Sequence, residues 1–431
     1  MSSTAIIICL IGIALAIALN YKFGVNMGVT GLAIAWIAGC IVMGLKVKDV
    51  VALWPNSVVF QLMSITLFFG FAVVNGTMQA IADHLLYKVR NQTWLIAFAI
   101  FFIGFILGAL GCPPPAANAI CAVIGFSVGL SAGLHPIIIA WGVCMGANLG
   151  CCLPWASQGS VVNNTIASNG YEAESYGMTL EFLLAYFVVT FVILIILYVV
   201  FKGHKLGEVV VKEPEPFSPV HKKSLVMIFI VVGLVIVPSL LKLFIQAEWL
   251  DTLSRCADIQ MLGMVGFVIC SLMKLADEKA VIRSVPWNTI ILVGGIGLLM
   301  NVATQAGVVD LLSSWMSATV PTFAITAFLC LLGGFLSFFS GGINTVFPML
   351  APLVAGLASS TGIKPVTMFI AILLGACFTA ISPFSTGGAI LMSNCSDDKT
   401  RAKLPAMQLA LAVGSLVFAI ILCLAGVINI F

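Results

Sequence analysis

The stretch that decides the fold reads LPWASQGS at residues 153–160, where proline, glycine and hydroxyl residues interrupt an apolar run. Three similar interruptions read CPPPAAN (112–118), SGGINT (340–345) and SPFSTGG (382–388). Broken backbone at membrane depth is costly unless it lines a cavity or a site, because lipid satisfies neither N–H nor C=O groups. A single break is explained equally well by a kink between packed helices. Four breaks in matched places predict a polar binding site.

The composition of the chain predicts a membrane protein. Of its 431 residues, 61% are hydrophobic and 8% are charged, and the mean hydropathy is +1.18. A soluble domain carries roughly a quarter charged residues, so this chain lacks the polar surface that water requires and its partner is the lipid bilayer. The net charge is +3 and the basic residues are scattered, which argues against a nucleic-acid partner.

Two similar series of apolar segments divide the chain, separated by a polar stretch at 203–223 that we interpret as a cytoplasmic linker. One constant shift of the numbering superposes Asn75 on Asn301 and Asn118 on Asn344, and a slightly larger shift superposes the two later breaks. Ordered matches of asparagine, proline and glycine predict an internal duplication. The predicted apolar segments are 5–20, 27–45, 58–74, 94–111, 118–131, 136–152 and 178–201, then 224–245, 259–273, 289–300, 321–339, 344–357, 365–381 and 404–431.

The segments that flank the first break of each half decide the topology. If both cross the bilayer, each half has six spans and the halves run parallel; if they form a re-entrant hairpin, each half has five spans and the second half is inverted. With the linker inside, the hairpin arrangement places fourteen Lys and Arg residues in the cytoplasm and five outside, as the positive-inside rule requires. The preferred fold is therefore an all-α integral membrane protein of two inverted five-span repeats, each with a re-entrant hairpin, and with both termini outside.

The same pattern predicts the division of each repeat. The first repeat is 1–202, with a scaffold at 1–75, an arm and transport part at 76–170 and a closing span at 178–202. The second repeat is 224–431, with a scaffold at 224–300, an arm and transport part at 301–395 and a closing span at 404–431.

Charged side chains are missing from the centre of every predicted span. A bound anion would therefore be held by amides, hydroxyls and the positive ends of half-helices, with a cation as charge compensation. In the broken spans the candidate substrate contacts are Ser157, Gln158, Ser385 and Thr386. Proton relays in membranes usually need buried carboxylates or histidine, and only His135 lies near a break, where we favour a cap or surface role.

The sequence offers no support for catalysis. It contains no nucleophile–base set, no Gly-rich phosphate loop after a strand and no metal-ligand spacing. The thirteen cysteines lie mostly inside apolar spans, and we interpret them as small packing residues. We therefore expect no organic cofactor and no transition metal.

At these breaks the chain resembles the ion transporter superfamily, and within it the malonate/dicarboxylate carrier proteins close to the divalent-anion/sodium symporters. The resemblance is carried by NGT at 75–77, by PWASQGSVVN at 154–163 and by the stretch 340–394. It implies inverted repeats with re-entrant hairpins, a homodimer, and an elevator motion of a transport domain against a fixed scaffold.

The resemblance also implies roles for the hairpin tips. In the symporters a Ser-Asn-Thr motif at each tip contacts carboxylate groups, and nearby carbonyls bind sodium. Carried over by position, Asn118, Asn344 and Thr345 would contact the substrate, although the first tip lacks both hydroxyls and the second lacks the serine. The implied sodium ligands, by side chain or carbonyl, are Asn118, Pro115, Ala156, Ser340, Asn344 and Ser385.

The predicted function is secondary active transport of a small organic anion, a dicarboxylate such as malonate or a C4-dicarboxylate, coupled to sodium across a bacterial inner membrane. One alternative is a permease for a sulfonate or monocarboxylate, coupled to protons or dependent on a binding protein. A channel or a non-transporting scaffold is a different class of function. The paired breaks disfavour it, because a channel needs a continuous pore and a scaffold needs no polar midplane.

Overall fold

The computed structural model describes residues 3–204, 206–207, 211–241, 258–338, 342–395 and 397–430. Within these ranges the regular structure is helical, as the sequence predicts, and no strand is present. The described residues of the first half form ten α-helices: α1 (Ser3–Phe23), α2 (Met27–Trp36), α3 (Val47–Ala52), α4 (Asn56–Val74), α5 (Thr77–Lys88), α6 (Ile96–Ala109), α7 (Pro114–Ser131), α8 (Pro136–Cys151), α9 (Ser157–Ile166) and α10 (Ser175–Val200).

The described part of the second half follows a similar order. Its helices are α11 (Pro219–Leu241), α12 (Ile259–Leu272), α13 (Glu278–Ser284), α14 (Trp287–Ala306), α15 (Val308–Thr319), α16 (Ile325–Ser337), α17 (Ile343–Leu350), α18 (Pro352–Thr361), α19 (Pro365–Thr379), α20 (Thr386–Ser393) and α21 (Asp398–Leu424).

Several of these helices have the length and hydropathy of membrane spans. Six meet both criteria among the described residues, and the bent pair α17 and α18 makes a seventh. Shorter apolar helices of 10–17 residues accompany them, including α8 and α19, which precede the two late breaks. The chain is therefore a multi-pass membrane protein.

The same order of helices occurs twice with nearly constant spacing. The starts of α3, α4 and α5 are spaced along the chain as the starts of α13, α14 and α15 are. The starts of α6, α7, α8 and α9 likewise have the same spacing as those of α16, α17, α19 and α20. This regularity agrees with the predicted duplication. For the arms and the tips, however, the helix starts require a larger shift of the numbering than the sequence suggested.

One predicted boundary is wrong because a glycine ends the helix later than expected. The arm was expected to begin at Asn301, yet α14 continues past this residue until Gly307, whose φ is 89°. Its counterpart after α4 is Gly76, with a φ of 82°. Glycine takes this left-handed conformation without steric cost and therefore terminates helices. Asn301 consequently lies inside α14 and is not equivalent to Asn75.

Two further predicted segments differ from the structure. The segment expected at 344–357 is bent by 43° between α17 and α18, where Pro348 and Pro352 interrupt the helical hydrogen bonds. Helix α11 begins at Pro219, inside the predicted linker 203–223. The predicted end of this span, at residue 245, lies outside the described residues.

In the scaffold, helices of the first half pack against helices of the second half. Helix α2 packs on α14, and α4 packs on α12. The first of these contacts is made backbone to backbone, since a Cβ added to Gly28 would collide with the carbonyl of Ile291. Small residues allow such close approach between helices in a membrane.

The four breaks belong to a second group of helices. In this group the same kind of helix crossing occurs once in each half. Helix α6 crosses α8 and α16 crosses α19. A Cβ added to Gly146 would collide with the carbonyl of Phe101, and one added to Gly375 would collide with the carbonyl of Cys330. When the starts of α8 and α19 are superposed, the two glycines coincide and so do their carbonyl partners. The two crossings are therefore built alike.

Candidate functional site

The four breaks meet at a cavity of ≈280 Å³. One wall is formed by the N-terminal ends of α7, α9, α17 and α20, and the other by residues of α2, α4 and α14. The cavity therefore lies between the helices that carry the breaks and the scaffold helices. Its lining, as far as the described residues define it, includes no Asp, Glu, Lys, Arg or His.

Most of the residues predicted for the site line this cavity. They are Pro115, Asn118, Ser157, Gln158, Asn344, Ser385 and Thr386. Ala156 and Thr345 are buried beside them in the chain but are not part of the lining, and Ser340 lies outside the described residues. The structure thus brings together side chains from both halves, and their roles stay predictions.

The two tip asparagines do not occupy equivalent positions. Asn118 is in the second turn of α7, whereas Asn344 is the second residue of α17. When the starts of these two helices are superposed, the counterpart of Asn344 is Pro115 and that of Asn118 is Phe347. The predicted pairing of the asparagines is therefore wrong, although both amides reach the same cavity.

Three of the residues that line the cavity have buried oxygens without a partner. Asn118, Ser157 and Asn344 are 2%, 3% and 7% exposed. The side-chain oxygen of each is buried without a hydrogen-bond partner in the described part of the chain. Leaving such a group unsatisfied costs about 1–3 kcal/mol, so a ligand that satisfies it would recover that energy.

The first broken span contains a chain of side-chain hydrogen bonds. The Gln158 Nε2 donates to Asn148 Oδ1 at 3.3 Å, and Asn148 Nδ2 donates to the Cys144 carbonyl at 2.7 Å. The Cys152 thiol donates to Gln158 Oε1 at 3.6 Å. These contacts fix the orientation of the Gln158 amide at the cavity wall. Asn148 also lines the cavity, and the sequence reasoning missed it because a single amide inside α8 does not alter an apolar segment.

The second broken span is capped by its own serine. Ser385 Oγ accepts a hydrogen bond from Gly388 N at 3.1 Å and donates to the carbonyl of Ser382 at 2.7 Å. The equivalent residue of the first half is Ala156, and α9 has no side-chain cap. The two breaks therefore have different free donors.

The scaffold wall adds polar residues that were not predicted. Asn20, Asn26, Thr66, Asn288 and Thr289 all line the cavity. Asn26 Nδ2 donates to the Asn288 carbonyl at 3.0 Å and so joins the two halves at this wall. Most of these residues lie at the start or the end of an apolar segment. Polar residues usually mark helix ends at such places, so the sequence did not distinguish these residues from ordinary helix ends.

His135 has the cap role that we favoured. Its Nδ1 accepts a hydrogen bond from Ile137 N at 3.3 Å, and its ring stacks on Phe201 with the centroids 4.2 Å apart. Burial lowers the pKa of this imidazole. His135 does not line the cavity.

The cysteines behave mainly as packing residues. All those described are buried except Cys40, which is partly exposed. Cys377 also lines the cavity, at the position equivalent to Asn148. Among the described residues no group of three or more His, Cys, Asp or Glu could hold a metal ion.

Comparison with known proteins agrees with these observations. Residues 1–151 match the family model described as the N-terminus of the dicarboxylate carrier protein MatC. The YdaH transporter of Alcanivorax borkumensis has a similar fold, with a TM-score of 0.59 and 15% sequence identity over 88% of this chain and 86% of that chain. No curated protein matches the chain in sequence.

The resemblance to the dicarboxylate carrier proteins is confirmed over residues 1–151 of the chain. The overall fold is similar to that of a transporter, which agrees with the expectation of a membrane permease.

Proposed function

We propose that this chain is a secondary active transporter of a small organic carboxylate, in the first instance a dicarboxylate, coupled to sodium. The observation that carries the proposal is the uncharged cavity at which four broken helices converge with unpartnered oxygens on Asn118, Ser157 and Asn344. The name of the matching family model supports a dicarboxylate.

An anion is the ligand that helix N-termini favour. The N-terminal ends of α7, α9, α17 and α20 line the cavity, and such ends carry partial positive charge. Hydroxyl and amide donors from Ser157, Gln158 and Thr386 surround the same space. Neutral donors of this kind bind a carboxylate without a buried Lys or Arg.

Sodium is the cation that the oxygens favour. Amide oxygens are acceptors only, and those of Asn118 and Asn344 have no partner in the described structure. A hard cation prefers oxygen ligands, and its charge would offset that of the anion in a cavity that has no charged side chain of its own among the described residues. The described lining also lacks the carboxylate or histidine that a proton relay would use.

The proposed mechanism is an elevator motion in a homodimer of inverted-repeat protomers. In each protomer the helices that carry the breaks form the moving body, and α1, α2, α4, α12 and α14 belong to the scaffold. What supports this division is the position of the cavity between the two groups. Asn20, Asn26 and Asn288 lie at the ends of α1, α2 and α14 that the basic-residue pattern assigns to the cytoplasm, which supports an inward-facing state for this cavity.

Topology is tested by labelling cysteines that are introduced one at a time into a chain in which the partly exposed Cys40 and also Cys256 are replaced by alanine. Cysteines introduced at 88–92 should react from the cytoplasm, and those at 172–176 should react from outside. Reaction of both from the same side would refute the inverted arrangement.

The function is tested by uptake into proteoliposomes with a panel of carboxylates. Saturable uptake that requires an inward sodium gradient is expected. The control replaces sodium with potassium at the same membrane potential. Uptake that continues at full rate without sodium and follows an imposed pH gradient would refute sodium coupling, and the absence of saturable uptake would refute the carrier.

A further inference from the structure

The helix ends that line the cavity belong to two pairs. Helix α9 packs against α17, and α7 packs against α20. Each pair combines one helix from each half of the chain, and the order of the helix starts makes α20 the counterpart of α9 and α7 the counterpart of α17. The duplication alone would therefore allow both pairs to pack against the scaffold in the same way.

The two pairs differ in how they contact the scaffold. Helix α9 packs on α4, and α17 packs on α14. The equivalent contacts of the other pair, α20 on α14 and α7 on α4, are at most marginal among the described residues. The structure is thus one of two arrangements that the duplication allows, and in it the α9–α17 side of the cavity is closed against the scaffold.

The exposure of α9 and α20 differs accordingly. On α9, Ser160 and Val161 are 1% and 0% exposed. When the starts of the two helices are superposed, the counterparts of these residues are Ala389, which is exposed, and Ile390, which is half-buried and lines the cavity. One face of α9 is therefore covered, whereas the same face of α20 is open.

An amide pair joins α9 to α4 within a contact that is mainly apolar. Val161 belongs to one cluster with Val58 and Leu62 of α4. About one turn further along α9, Asn164 Nδ2 donates a hydrogen bond to Gln61 Oε1. In the described part of the chain, no other hydrogen bond between two side chains joins the scaffold helices to the helices that carry the breaks. This bond is therefore the specific polar element of the contact.

The second half lacks the groups that form this bond. When the starts of α4 and α14 are superposed, Leu292 takes the place of Gln61. Superposing the starts of α9 and α20 likewise puts Ser393 in the place of Asn164. A leucine side chain neither donates nor accepts a hydrogen bond, so α20 packed on α14 would form no equivalent bond.

Building on the proposed function, in which the helices that carry the breaks move against the scaffold, we propose that the Gln61–Asn164 bond is a latch. It holds the empty carrier in the arrangement seen here, with α9 on α4 and the cavity open on the α20 side. In the opposite arrangement α20 packs on α14 and the two amides are out of reach of each other. One net hydrogen bond favours the latched arrangement by about fivefold, and it breaks in every transport cycle.

The test uses two reporter cysteines, Ser160→Cys and Ala389→Cys. Each is introduced separately into the chain in which Cys40 and Cys256 are replaced by alanine. The purified protein, without substrate or sodium, is labelled with a polar thiol reagent, and the rate is corrected for that of the same chain without a reporter, because Cys377 lines the cavity. In the latched arrangement Ala389→Cys should react rapidly and Ser160→Cys slowly.

The Gln61→Leu variant gives α4 the residue that α14 carries at the equivalent position. It should speed the labelling of Ser160→Cys by about fivefold without speeding that of Ala389→Cys, since only the balance between the arrangements changes. A general loosening of the protein would instead speed the labelling of both reporters. Gln79→Leu is the matched control, because it removes an amide that donates to Asp83 on the arm helix α5, and it should leave both rates unchanged.

A second variant of the pair shows whether the two amides act through one bond. Asn164→Ser copies the residue of α20 and should have the same effect as Gln61→Leu. The two changes together should speed the labelling of Ser160→Cys no more than either does alone, because the first change already removes the bond.

A gain of the latch in the second half keeps the test independent of the folding of these variants. Leu292→Gln combined with Ser393→Asn supplies the missing amides to α14 and α20, while Gln61 and Asn164 stay in place. This double variant should stabilise the opposite arrangement and speed the labelling of Ser160→Cys by about fivefold.

Unchanged labelling of Ser160→Cys in all of these variants, or an equal rise at both reporters, would overturn the latch. Because the labelling needs no substrate, such a result alongside saturable, sodium-driven uptake by the unmodified protein would leave the proposed function standing. The expected labelling without any uptake would instead remove the proposed substrate and coupling and leave the latch.

Discussion

The two broken spans share a backbone frame but differ in side chains. Gly159 and Gly388 each lie so close to the carbonyls of the preceding break that an added Cβ would collide with them. On this common frame the first half places Gln158 where the second half has Gly387, and it leaves α9 uncapped where Ser385 caps α20. The comparison teaches that close packing constrains the backbone alike in both halves, whereas the side chains at the cavity are free to differ between them.

The largest expected effect comes from disturbing the frame itself. Gly146→Ala should lower the stability of the purified protein by about 3 kcal/mol, because the new Cβ meets the carbonyl of Phe101 and backbone cannot yield as a side chain does. Gly142→Ala is the control one turn away, since a Cβ there would lie 3.5 Å from its nearest neighbours. Melting temperatures in detergent check the pair. Equal stability of the two variants would show that the backbone at the crossing of α6 and α8 can move apart more easily than the structure indicates.

The next effect concerns the two tip amides. Asn118→Ala or Asn344→Ala should weaken substrate binding by about 1–3 kcal/mol, since each removes a buried group that a ligand would satisfy. The ligand-free protein should not lose stability, because the removed oxygen has no partner in the described structure. Binding titrations and melting temperatures are measured together. Unchanged affinity in both variants would exclude these residues from the site.

A smaller effect is expected when one half is made to resemble the other. Gln158→Gly copies Gly387 into the first half and should raise KM about tenfold through the loss of one oriented donor. Ser160→Ala is the control on the same helix, because Ser160 Oγ donates to the Pro154 carbonyl at 2.9 Å and does not line the cavity. Initial rates of uptake over a range of substrate concentrations check the prediction, and equal KM values in the two variants would contradict it.

The smallest effect comes from removing the cap. Ser385→Ala deletes the oxygen that accepts from Gly388 N and should destabilise the protein by about 1 kcal/mol. Ser393→Ala, at the other end of the same helix, removes an exposed hydroxyl and should be neutral within error. The melting temperatures of the two variants decide the matter, and no difference between them would mean that the cap does not support α20.

The positions of the late breaks were predictable from the sequence, because proline and glycine interrupt a helix at the place where they occur. The breaks at 153–160 and 382–388 were located from sequence, and they bring Ser157 and Thr386 to one cavity. The alignment of the tips was not predictable, since the matching asparagines are offset by about one turn and only the helix starts reveal this. Asn148 was missed for a related reason: its side chain points to the cavity through packing of α8 against other helices, which no local pattern records.

The packing of scaffold helices from the first half on helices from the second half has a consequence for biosynthesis. Helices α2 and α4 leave the ribosome and enter the bilayer long before α14 and α12, on which they pack, have been translated. Until then the glycine face of α2, including Gly28, has no partner from the second half. We therefore expect the first half on its own to be an assembly intermediate rather than an independently folded unit. We expect a truncated chain to be retained by membrane quality control and degraded, and we expect it to be rescued when the second half is supplied as a separate polypeptide.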